Sequence, residues 1–294
     1  VALLSLKSGP VCQNDEQNLE QSMNRMKSII FVAGLMSLVS SATWAHDPIF
    51  SIGPHVLFKG GFEIAPEVRV SKKGDEHETE LGLEATYGIT GDWAAGVDIP
   101  YNFKSNDRNS GDGFGNFGVF TKYRFWRHDT LGAQETAAVL AKVFTDTGAN
   151  RRPAVSTGTT DGILGLTYGY ESRKWYRWAS VRYRYNGKND AGLRRGNKIL
   201  VDLVGGIRPV PTDYLEPDTV WLLELNGEYG ERTESRGVNL ANTGGTELFL
   251  SPGIFWTKRN FAIKAGVQIP VYHNLNGRQK ESDYRAKLVF EWHL

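Results

Sequence analysis

Cysteine, long apolar runs and an excess of either charge are all scarce in this chain. Its 294 residues include one cysteine, Cys12, and that residue precedes the segment read below as an export signal. The rest of the sequence therefore has no disulfide framework, no thiol nucleophile and no lipoprotein-type cysteine to draw on. No later run is long and apolar enough for a membrane helix, which needs about 20 such residues. Lys and Arg number 34 against 33 Asp and Glu, a formal net charge of +1, and no basic block offers a footprint for nucleic acid. Glycine (33 residues) and aromatic side chains (12%) are plentiful. With a negative mean hydropathy, that mixture favours strands and turns over helices.

Near the start, Met23-Asn24-Arg25-Met26-Lys27 is a short basic stretch followed by the apolar run Ile29 to Val39. Small residues at Thr43 and Ala45 then stand at positions −3 and −1 of a signal-peptidase site. Residues 23–45 are thus read as a signal peptide cleaved after Ala45, leaving His46 as the mature amino terminus. Residues 1–22 are read as an upstream extension with no role, and residues 46–61 as a periplasmic or plug segment.

From Phe62 to Leu294 the chain alternates with period two. Phe62, Ile64, Val68 and Val70 share one face against Glu63, Glu67 and Arg69; Leu81, Leu83, Ala85 and Tyr87 oppose Glu80, Glu84 and Thr86. Trp93 to Phe103 oppose Asp98, Asn102 and Lys104; Trp221, Leu223, Leu225 and Tyr229 oppose Glu224, Asn226 and Glu228; Phe261 to Val271 oppose Lys264 and Gln268. Side chains on a strand point to opposite faces in turn, so the pattern predicts strands. These segments exceed the five or six residues usual in soluble sheets and suit a tilted bilayer crossing. Connections alternate too. Short ones are read at 90–92, 127–132, 172–174 and 257–260, long polar ones at 105–113, 145–159, 187–195, 231–244 and 274–282; the stretch 209–218 breaks the rule.

Tyr284, Ala286, Leu288, Phe290, Trp292 and Leu294 form an apolar face running to the last residue. It is similar to the closing strands that the barrel-assembly machinery reads. The expectation is an all-β, antiparallel up-and-down transmembrane barrel of about 12 strands over residues 62–294, in outer-membrane lipid.

In such a barrel the polar face lines the lumen. The predicted lining is Glu63, Glu67, Arg69, Glu80, Glu84, Asp98, Lys122, Arg124, Arg182, Arg184, Glu224, Glu228, Lys264, Arg285 and Lys287. Acids concentrate on the first strands and bases on others, so Arg285 and Lys287 are expected to face Glu63 and Glu67 across the closing seam. These charges either cross-brace the wall or create a transverse field that orients polar solutes. His46, with its amino group, and His55 are candidate ligands for a copper-type ion. Tyr272-His273-Asn274-Leu275-Asn276-Gly277 resembles the His-x-Ser-Asn-Gly motif of outer-membrane phospholipases, but Leu275 stands where the serine nucleophile belongs. No catalytic residue is therefore assigned.

The run Gly111-Asp112-Gly113-Phe114-Gly115-Asn116-Phe117-Gly118, continued by Val119 to Phe125, resembles the glycine-rich strand of a barrel family named for the meta-cleavage pathway of phenol degradation. Ile89 to Trp93 and Val97 to Tyr101 are similar to its second and third strands, while Asn116 departs from the family's frequent Asp. The resemblance implies an outer-membrane channel passing a small solute.

Overall fold

The computed structural model describes residues 47–149, 153–212 and 215–294. Cys12, the signal segment 23–45, the upstream stretch 1–22 and His46 lie outside the described residues.

No helix occurs among the described residues. The strands are β1 Phe62–Lys73, β2 Glu76–Gly88, β3 Trp93–Ser105, β4 Ser110–Phe114, β5 Gly118–Thr130, β6 Ala133–Phe144, β7 Asp161–Ser172 and β8 Trp175–Tyr185. They continue with β9 Leu193–Arg194, β10 Lys198–Ile207, β11 Asp218–Gly230, β12 Glu234–Ser235, β13 Val238–Asn239, β14 Gly245–Lys258, β15 Phe261–Leu275 and β16 Tyr284–His293. β4 and β5 both pair with β3 and act as one wall strand broken at residues 115–117. Counted so, 12 antiparallel strands pair neighbour to neighbour, and the ring closes where β1 meets β16. β9, β12 and β13 form a small separate sheet in the loops.

The alternation read from sequence becomes an inside-out barrel. Trp221, Leu223 and Leu225 of β11 are exposed, whereas Leu222, Glu224 and Asn226 are buried. Exposed Leu, Val, Tyr and Trp recur on strand after strand around the wall. A soluble monomer rarely exposes more than a few hundred Å² of contiguous apolar surface, so hydrocarbon is the solvent that suits this face.

Both ends of the wall lie together, with the Phe62 amide donating to the Leu294 carbonyl at 3.2 Å. At that end the turns are 89–92, 131–132, 173–174 and 259–260, and Gly132 supplies the positive φ (80°) its turn requires. The connection 208–217 is the long exception. Several predicted boundaries move. The loop read at 105–113 shrinks to 106–109, because Ser110–Phe114 keeps pairing with β3. The turn read at 127–132 shrinks to Leu131–Gly132, because a register shift between Arg124 and Trp126 lets β5 pair on to Thr130. The loop read at 274–282 begins later, because β15 runs to Leu275.

Candidate functional site

Residues 47–61 lie against inward-facing side chains of several strands. Glu224, fully buried on β11, accepts the amides of Ile49 (2.7 Å), Phe50 (3.3 Å) and Ser51 (3.1 Å), and also the Ser51 hydroxyl (3.1 Å). Such an array resembles the anion-binding concavities that successive amides build, with the anion here supplied by the wall. Lys122 donates to Asp47 Oδ2 at 2.6 Å, Lys264 to the Asp47 carbonyl at 3.1 Å, and Thr167 to the Ile52 carbonyl at 2.9 Å. His55 pairs with Glu171, whose Oε1 also accepts the Trp178 indole at 2.7 Å. Ile49 packs in a buried cluster with Trp178, Val204, Val220 and Leu222. Its burial is worth about 1.5–3 kcal/mol. At the rim, the Gly60 amide donates to the Gly88 carbonyl and the Gly88 amide to that of Gly61.

This segment and the wall together enclose a cavity of about 540 Å³. Of the predicted lining residues, Glu63, Glu67, Arg69, Glu80, Glu84, Lys122, Arg182, Arg184, Glu228, Lys264, Arg285 and Lys287 border it. Three do not. Asp98 is buried beneath Lys142 at 2.8 Å. Glu224 is wrapped by the amino-terminal segment. Arg124 turns to the rim, where it holds Asp92 (2.7 Å) and the Gly91 carbonyl (2.7 Å).

The charges do not sort into an acidic wall and a basic wall. Lys287 does meet Glu67 across the seam, at 3.2 Å, but Arg285 does not meet Glu63 or Glu67. Strand stagger is the reason. Arg285 registers opposite Ser71, one full pleat beyond Arg69, and reaches Glu228 instead. Glu63 registers opposite His293 and pairs with it at 3.2 Å. Further pairs stitch the rest of the interior: Arg69 with Glu67 and Glu80, Lys198 with Glu228 (3.3 Å), Arg182 with Asp202 (2.7 Å), and Arg184 and Arg195 with Asp161 (3.3 and 2.7 Å). Glu84 borders the cavity with no ion pair among the described residues.

A polar network missed in the sequence spans five strands: Asp202 accepts from Ser180, Arg182 and Asn226, and Asn226 accepts from Ser251 and Gln268. Lys142 was missed as well, because Ala137 to Val143 is apolar on both faces and hides its parity.

Of the two candidate copper ligands, His55 is held by Glu171 and His46 is outside the described residues. The described residues that do bring three potential ligand atoms within 4.8 Å of one another are Glu63, Glu291 and His293. The Lys264 ammonium already sits on Glu291. His273 pairs with Glu281 at 2.9 Å near the surface, and Leu275 ends β15 beside it.

The family described as "Putative MetA-pathway of phenol degradation" matches residues 45–278. Among solved structures, an outer-membrane channel from Pseudomonas putida F1 is 13% identical, with a TM-score of 0.64 over 85% of this chain and 100% of that one. The NanC porin is 12% identical with a TM-score of 0.48, over 79% of this chain and 100% of its own. LpxR from Salmonella typhimurium is 10% identical with a TM-score of 0.44, over 78% and 99%. At these identities the likeness is one of fold. No curated protein matches.

Proposed function

This chain belongs to the phenol meta-pathway barrel family, and on that premise we propose that it is an outer-membrane channel for small polar solutes, throttled from the periplasmic side by residues 47–61. The observation that carries the reading is a charged cavity of about 540 Å³ bordered on one side by a segment anchored through Glu224. The end where Phe62 meets Leu294 faces the periplasm, as the short turns there suggest.

Interleaved cations and anions give such a lumen local fields rather than one net sign. A solute carrying both charge types, or a strong dipole, exchanges its hydration for contacts with Glu84, Lys287 and Arg285 in sequence. No step involves bond making: the only phospholipase-like motif lacks its nucleophile at Leu275.

Reconstitution in planar bilayers tests this. The intact barrel should show small discrete conductance steps, and a variant lacking residues 47–58 should show steps several-fold larger. A barrel that runs with heat-modifiable mobility on gels, yet is silent in both forms, overturns the proposal.

A further inference from the structure

The outer wall carries a second concavity, at Gly205. Gly205 lies on the outward face of β10, in register with Arg177 of β8 on one side and Leu223 of β11 on the other. A side chain added at Gly205 would meet nothing within 4 Å. The gap opens into a groove of about 430 Å³ bordered on the outer face by Tyr168, Ala179, Leu203 and Leu223, with the buried Trp178, Val204 and Glu224 beneath, a volume within the roughly 300–1,000 Å³ of small-molecule sites.

Arg177 stands at the edge of this groove. It is exposed, faces outward, and lies two residues from Trp175, the first residue of β8 after the short turn. A cation on the lipid face of a barrel costs from about 0–1 kcal/mol near the interface to about 2–4 kcal/mol at the midplane. Arg177 has no carboxylate partner among the described residues. Its guanidinium lies 5.7 Å from the Tyr170 ring centroid. Among the described residues, the carboxylate on the same face nearby is Glu135, which registers a strand away and accepts the Tyr168 hydroxyl at 2.6 Å.

We propose that this groove binds one glycerophospholipid of the inner leaflet, its phosphate on Arg177 and an acyl chain over Gly205. The proposal rests on the outer-membrane reading above. Arginine's planar fork suits phosphate oxygens, and its long stem lets the charge reach the headgroup level from a site within the wall. The groove itself is apolar where the chain would lie, which free phosphate would leave unfilled.

Native mass spectrometry of the detergent-purified barrel, titrated with phosphatidylglycerol, tests the site. Heat-modifiable mobility is checked first, so that failure to form a membrane barrel is seen separately. One lipid should bind to the intact protein. Arg177→Gln and Gly205→Leu should each weaken that adduct about tenfold, and Gly205→Leu should fold because its new side chain enters open space. Equal adducts on all three proteins would mean annular lipid only and overturn the proposal. Equal affinity for diacylglycerol of the same chains would also overturn it, by removing the role of the phosphate.

Discussion

Around Ile49 the barrel interior is a small apolar core, closed by Trp178, Val204, Val220 and Leu222; around Arg285 and Glu67 it is a lattice of ion pairs. The same alternating strands supply both. Inward positions of β10 and β11 carry Val204, Val220 and Leu222 toward the short-turn end, then Asp202, Glu224, Asn226 and Glu228 further along. An apolar lining inside a water-filled tube costs free energy unless something covers it, and residues 47–52 do so. A charged lining needs no cover if its members pair or stay hydrated. One end is thus built to hold a segment of this chain, and the other leaves a charged cavity open.

Glu224 is where the two regions meet, and removing it should have the largest effect. In Glu224→Ala three amides and the Ser51 hydroxyl lose their acceptor, and each buried donor left unpaired costs about 1–3 kcal/mol. The segment should leave the lumen, limited proteolysis should cut within residues 47–58, and single-channel steps should grow several-fold. Unchanged protease resistance would show that the apolar contacts alone hold the segment.

Ile49→Ala probes the apolar side of the same junction. Loss of a buried isoleucine typically costs about 2–5 kcal/mol, here charged to docking of the segment rather than to the wall. Intermittent opening is expected, read as conductance flicker, with an unaltered unfolding temperature for the barrel. A lowered unfolding temperature would mean that wall and segment fold as one unit.

Glu67→Gln sharpens the other half. It leaves Lys287 and Arg69 without the carboxylate they share, so the lumen becomes more positive at the seam. Reversal potentials in a salt gradient should shift toward anion preference, while step size changes by less than about twofold. Equal selectivity in both proteins would place Glu67 outside the conduction path.

Much of this fold was legible because the wall has only two faces, and a bilayer outside with charge inside makes them chemically opposite. Trp221, Leu223 and Leu225 against Glu224 and Asn226 could be sorted on sight. What stayed hidden depends on geometry around the ring. Arg285 could not be matched with Glu228, 57 residues away, without knowing the stagger at the β1–β16 seam. The role of Glu224 as an anchor was hidden for a related reason. As a lumen residue it looked like every other inward acid, and nothing local says that three amides from residues 49–51 would close on it. Gly205 was equally silent, since a lone glycine in a strand does not reveal that its neighbours leave the space unfilled.

The smallest effect is expected at the outer hairpin, at the solvent end of β1 and β2. Asp75 in the β1–β2 turn pairs with Lys280 of the β15–β16 connection, and the Gly74 amide donates to Asp283 beside them at 2.8 Å. The hydrogen bond from Lys280 holds the Asp75 carboxyl below its ordinary range, and the same bond raises the Lys280 ammonium. The signs are opposite and set two edges. The Asp75 contribution is present above its unfolded value of about 4 and is lost as pH falls through its lowered folded value. The Lys280 contribution is present below about 10 and is lost as pH rises through its raised one. Wild type and Asp75→Asn should therefore differ by a constant amount between those edges, and the difference should vanish beyond either. Both groups reach solvent, so water screens the pair and the unfolding temperature should not resolve it. Exchange of the Gly74 amide should, rising modestly in the variant across the plateau. A difference that changed between pH 6 and 8 would bring in the exposed His77 of the same hairpin and overturn the assignment to Asp75 and Lys280 alone.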